Sequence, residues 1–133
     1  MVNLVIVSHS YLLAEGAREL ALQMAAQAVQ IAAVGGIEMD GSHVLGTDVS
    51  RIAQAVRQIF TDDGVLLLVD MGSSVMSAEE ALDHLPEEMR SHCLISDAPL
   101  VEGSILAALE AGLGHSLLEV NAAAEAACTA AKR

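Results

Sequence analysis

The sequence predicts an α/β fold: an open, mainly parallel four-stranded sheet with helices on both faces. Three observations predict it. Four short aliphatic runs, at 2–7, 29–34, 65–69 and 93–95, are rich in Val, Ile and Leu and too short for ordinary helices. Segments with helical spacing of apolar residues lie between them. Each run stops on a polar or glycine turn, and strand alternating with helix is the pattern of a parallel sheet covered on both sides.

The first run, Val2 to Val7, ends on Ser8-His9-Ser10, so a strand buried on both faces delivers a histidine to a sheet edge. Apolar residues at 13, 17, 20, 24 and 28 predict a helix from Leu12 to about Gln27 with that stripe toward the core. His9 thus sits in a strand-to-helix turn, where open parallel sheets bind ligands and helix N–H groups attract anions. The second run, Val29 to Val34, ends on Gly35-Gly36. The connection from Gly35 to Gly46 holds Glu38, Asp40 and His43 and is long for a compact domain. Thr47 and Asp48 offer N-cap chemistry for a helix with apolar residues at 49, 52, 53, 56, 59 and 60.

Val65 to Val69 is the third strand and ends on Asp70. The small turn Met71-Gly72-Ser73-Ser74 opens a helix marked by Val75, Ala78, Leu82 and Leu85, closed near Pro86. Cys93-Leu94-Ile95 predicts the fourth strand, and Ser96 to Pro99 leads into a helix carrying Val101, Ile105, Ala108, Leu109 and Gly112. Ser116 and Glu119 have the spacing of a capping box, so an Ala-rich helix is expected from about Leu117 toward Ala131. His84 reads as a surface residue and His115 as structural.

With 133 residues, the chain has the size of one domain, 1–133. One Tyr, one Phe and no Trp leave no stacking platform for nucleic acid, and a net charge of −12 argues against phosphate-backbone binding. No apolar run approaches the ~20 residues of a membrane span, and no signal peptide opens the chain, so a soluble, cytoplasmic protein is expected. Cys93 and Cys128 lack CxxC spacing and read as buried thiols, with no metal site.

Phosphorylating a histidine needs one ring nitrogen free as nucleophile and the other tied by a hydrogen bond, which a carboxylate supplies well. Asp70 is the best partner for His9 if the first and third strands are adjacent. Gly72-Ser73-Ser74 and the first helix N-terminus are then placed to hold phosphate oxygens. Taken singly, His9 reads as a turn residue, Asp70 as a helix cap, Gly72 as a turn glycine, and Met71 and Met76 as core filler. Their joint placement at strand ends weighs equally for a site. A serine hydrolase lacks its G-x-S-x-G elbow, a nucleotide site lacks its glycine and lysine fingerprints, and a receiver-like module phosphorylated on Asp70 lacks an acidic pair beside the first strand. A small-ligand binding module without catalysis remains open.

Val5-Ile6-Val7-Ser8-His9-Ser10 with Leu13-Ala14-Glu15-Gly16, then Gly46-Thr47-Asp48, Asp70-Met71-Gly72-Ser73, Ser77-Ala78-Glu79 and Ala98 to Gly103, form an ordered set over about the first 112 residues. This set resembles the phosphocarrier subunits of dihydroxyacetone kinases that draw on the bacterial phosphotransferase system. Their N-terminal domain has the mannose-type enzyme IIA fold. The related mannose-type sugar permease IIA domains, which pass phosphate to a IIB domain, usually read closer to Gly-Gly-Ser-Pro after the third strand. The resemblance implies a phosphoenolpyruvate-glycerone phosphotransferase component in which His9 takes phosphate from HPr and passes it to ADP on the kinase's nucleotide subunit. It further implies Asp70 as the partner of His9, with Ser10, Thr47, Gly72 and Ser73 lining the site. No cofactor would sit on this chain, since ADP and ATP belong to the partner, and a homodimer is expected.

Overall fold

The computed structural model describes residues 1–133. In chain order it has β1 (Asn3–Ser8), α1 (Tyr11–Met24), β2 (Ile31–Gly35), β3 (Ile37–Met39), β4 (Ser42–Val44), α2 (Val49–Ile59), β5 (Val65–Val69), α3 (Gly72–Asp83), α4 (Glu87–Arg90), β6 (Cys93–Ile95), α5 (Leu100–Gly112) and α6 (Leu117–Glu125). The expected four strands make one parallel sheet, in the order β2-β1-β5-β6, and β3 and β4 make a separate antiparallel hairpin.

Alternation along each strand divides the core in two. Leu4, Ile6, Leu66 and Leu68 face α1, α5 and α6, where alanines such as Ala17, Ala21, Ala107, Ala111 and Ala124 complete one apolar cluster. Val5, Val7, Leu67 and Val69 face α2 and α3 and pack with Ile52, Val56, Ala78 and Leu82. Asn3 and Ser8 are the buried polar residues of β1; the Asn3 Nδ2 donates to Ile59 O at 2.7 Å and its Oδ1 accepts from Gln30 N at 2.8 Å, so burial leaves neither atom unpaired.

In α2 the expected stripe is the buried one, and Asp48 caps it by accepting from Arg51 N. Thr47 does not cap; its hydroxyl meets that of Ser77 at 2.6 Å. The face of α1 is rotated from the expected stripe. Ala14, Ala17 and Ala21 face the core, while Leu13, Leu20 and Met24 lie partly exposed. The reason is close packing: α1 lies against β2 and against α5 on the same face of the sheet, and small alanine side chains fill those contacts. A Cβ on Gly35 would lie 2.4 Å from Ser10 O and 2.8 Å from the Ala14 Cβ, so β2 runs directly under the start of α1. In α5 likewise Gly103, Ser104, Ala107, Ala108 and Ala111 are buried and Leu109 is exposed.

Ser116 and Glu119 form the expected capping box, but α6 stops at Glu125 and a 3-10 turn follows at Ala126–Cys128. Cys93 is half-buried and Cys128 exposed, so the expectation of two buried thiols holds only in part; both are free. His84 is exposed beyond α3, and His115 pairs with Glu110. No helix is long and apolar enough to cross a membrane.

Candidate phosphoryl-transfer site

All four parallel strands end on one edge of the sheet, which brings Ser8-His9, Gly35, Asp70 and Ser96 to one rim. The pairing of Val7 with Val69 sets the next residues of β1 and β5 side by side. His9 and Asp70 meet there: Nδ1 lies 3.0 Å from Asp70 Oδ1. Asp70 is held by more than the ring. Its Oδ2 accepts from the Ser8 hydroxyl and from the His9 backbone N–H, each at 2.9 Å. Its Oδ1 also accepts from Met71 N at 2.8 Å and from the Ser74 hydroxyl at 2.5 Å.

Burial alone would raise the Asp70 pKa, but the donors from Ser74, the His9 backbone, Ser8 and the His9 ring outweigh it and bring it from 3.8 to about 2. The carboxylate is therefore ionised and accepts only. Nδ1 must carry the ring proton, shared with Ser74 Oγ at 3.1 Å. That tautomer leaves the lone pair on Nε2. It is turned to the exposed side, 2.5 Å from the Ser73 hydroxyl, which donates to it.

The expected lining residues take separate places. Ser73 meets the ring, and Gly72 opens α3 with a backbone N–H that precedes the helical ladder. Ser10 caps α1, accepting from Leu13 N, so its hydroxyl is engaged by the helix. Thr47 contacts Ser77 and not the ring, while the preceding Gly46 donates its N–H to His9 O at 2.9 Å. Ser74, read from the sequence as a phosphate ligand, is buried and turned inward to Asp70. Ser8, which flanks His9 in the sequence, is a donor to Asp70. One signal for Ser74 was its spacing of four from Asp70, which returns its side chain over the strand end once α3 begins.

Comparison with known proteins places the chain in a family. The family model for the PTS system fructose IIA component (EIIA-man) matches residues 3–121. Over 121 residues the chain is 42% identical to the phosphoryl donor subunit DhaM of the PEP-dependent dihydroxyacetone kinase of Escherichia coli (strain K12), covering 90% of this chain and 25% of that protein. Over 110 residues it is 36% identical to the phosphoryl donor subunit DhaM of the PEP-dependent dihydroxyacetone kinase 2 of Listeria innocua, covering 83% of this chain and 86% of that protein. The chain thus spans about a quarter of the Escherichia coli relative and most of the Listeria one. The crystal structure of the unknown function protein EF1359 superposes with a TM-score of 0.83 at 32% identity, covering 99% of this chain and 96% of that one. The histidine at a strand end, the sheet order and the match over residues 3–121 converge on one assignment: the chain belongs to the PTS system fructose IIA component (EIIA-man) family.

Proposed function

We propose that the chain is a phosphoryl carrier of a PEP-dependent dihydroxyacetone kinase, loaded on His9 by HPr and unloaded onto ADP held by the kinase's nucleotide subunit. The observation that carries this reading is the His9 ring tied to Asp70 through Nδ1, with Nε2 on the exposed side where only the Ser73 hydroxyl meets it. In loading, the Nε2 lone pair forms a bond to phosphorus as the donor's bond to that phosphorus breaks. In unloading, a terminal oxygen of ADP attacks the phosphorus and the Nε2–P bond breaks. Asp70 keeps the proton on Nδ1 throughout, so the ring departs as neutral imidazole and not as the far poorer imidazolate leaving group. A low carboxylate pKa serves this, because a more basic partner would draw the proton off the ring.

The N–H groups of Gly72 and Ser73 at the start of α3, with the Ser73 hydroxyl, are the donors nearest to the incoming phosphate oxygens. Residues 1–133 act as one carrier unit in the cytoplasm, and the nucleotide stays on the partner. A homodimer forms through the outer strip of α1, where Leu13, Leu20 and Met24 are partly exposed.

The test is incubation with phosphoenolpyruvate, enzyme I and HPr. An acid-labile, alkali-stable phosphate on His9, absent from His9→Ala and discharged by the ADP-loaded kinase subunit, is the expected result. Label persisting in His9→Ala would falsify the assignment, and discharge to a sugar-permease IIB domain alone would move the chain to the sugar-uptake branch.

A further inference from the structure

The β3–β4 hairpin is unlike the rest of the fold. Every residue from Glu38 to Leu45 is exposed, so the hairpin contributes nothing to either core. Two-stranded hairpins are marginal on their own. This one is held in three ways. Asp40 and Gly41, at φ 50° and 80°, form the tight turn whose twist suits a hairpin. Its two ends are rooted on the site, with Gly36 N donating to Ser8 O at 3.3 Å and Gly46 N to His9 O at 2.9 Å. His43 stacks on Tyr11, the first residue of α1, with ring centroids 3.7 Å apart and planes within 9°. An element that adds nothing to either core yet is fixed to the nucleophile's own carbonyl is placed to meet something outside the chain.

We infer that the hairpin is the surface by which this carrier selects the protein that accepts its phosphoryl group, and that the Tyr11–His43 stack holds it in place. This rests on the carrier reading above. The partner's face is apolar with a margin of Lys and Arg. Apolarity follows from Leu45 and Leu12, 79% and 78% exposed, which stand beside the stacked pair, with Met71 and Met76 exposed on the α3 side. Burying such side chains against an apolar face favours the partner that presents one.

The basic margin follows from charge. The connections at the rim, 9–10, 36–48, 70–71 and 96–99, carry Glu38, Asp40, Asp48, Asp70 and Asp97 and no Lys or Arg. Arg51, a turn into α2, has its Nη1 buried. Loading His9 adds a phosphate dianion to this acidic rim, so a basic partner binds the loaded form more tightly and leaves after transfer. That is the order an acceptor needs; a donor needs the reverse.

The experiment measures both half-reactions separately, loading from phospho-HPr and unloading to the ADP-loaded nucleotide subunit of a dihydroxyacetone kinase. Leu45→Asp should raise KM for the acceptor about tenfold with kcat and the loading rate unchanged. His43→Ala should raise the same KM, and His43→Phe, which restores a stacking ring, should bring it back. An unchanged KM in both Leu45→Asp and His43→Ala overturns the inference, as does a KM change confined to loading. A change of oligomer mass in Leu45→Asp overturns it by assigning the hairpin to a second copy. Failure of the native chain to load at all counts against the carrier reading itself, so the two failures are told apart.

Discussion

Nδ1 of His9 and Oδ1 of Asp70 are 3.0 Å apart across 61 residues of chain, and the other oxygen of the same carboxylate receives the backbone N–H of His9. One side chain thus fixes both the rotation of the imidazole and the turn that carries it.

Asp70→Ala is expected to fold and to lose transfer. Without the carboxylate neither the ring orientation nor the Nδ1–H tautomer is enforced, and loading should slow by at least about 100-fold, within the range seen when an orienting aspartate is lost elsewhere. Rapid-quench measurement of loading from phospho-HPr reads this directly. A rate within twofold of native would separate Asp70 from the chemistry.

Ser73→Ala removes the hydroxyl that meets Nε2 while leaving Asp70 and its other donors in place. The expected effect is a fall in transfer rate of about 10- to 100-fold, smaller than that of Asp70→Ala, with the same unfolding midpoint. Equal loss in both variants would argue that Ser73 acts through the fold.

Acid should destabilise the native chain through Asp70. Its folded pKa, about 2, lies below its ordinary 3.8, so the carboxylate contributes stability that is fully present above pH 3.8 and lost as pH falls through about 2. The contribution is on the order of 2 kcal/mol. Urea unfolding at pH 6 and pH 2 in native chain and Asp70→Asn measures it; the native loss should exceed the variant's by that amount.

Gly35→Ala should disturb fold and site together. The added methyl would meet Ser10 O and the Ala14 Cβ well inside van der Waals contact, pushing α1 off β2 and shifting the turn after His9. A stability loss of about 1–3 kcal/mol by urea unfolding, with slowed loading, is expected. Native stability in this variant would show that the gap under α1 yields.

Light scattering at micromolar concentration should read a dimer of the 13.8 kDa chain, and Leu20→Asp on the outer strip of α1 should read a monomer. A native monomer refutes the proposed association.

What the sequence made legible follows from how strongly each element depends on apolar burial. The four parallel strands are buried aliphatic runs, and α2 has a wide apolar face, so period and run length were sufficient for both. The face of α1 was misread because close packing on α5 selects alanine, and leucines that look like core line its edge instead. The hairpin is not legible because its strands are three residues each and, Ile37 apart, exposed. Asp40-Gly41 was its one strong signal. At the site, His9 and Asp70 were visible as polar residues ending buried runs, whereas Ser8 and Ser74 act through a carboxylate and not on Nε2, so no nucleophile pattern points to them.

The parallel register of β1 and β5 also governs when activity appears during folding. Because side chains alternate between faces, a slip of one residue would turn Val5 and Val7 into the layer of Leu4 and Ile6 and carry Asp70 away from His9. A collapsed chain with its strands mispaired by one residue would hold nearly the same helices and remain unable to accept phosphate. Phosphorylation competence therefore reports the native register: in a refolding experiment it should rise only with correct pairing of β1 and β5, and not ahead of it.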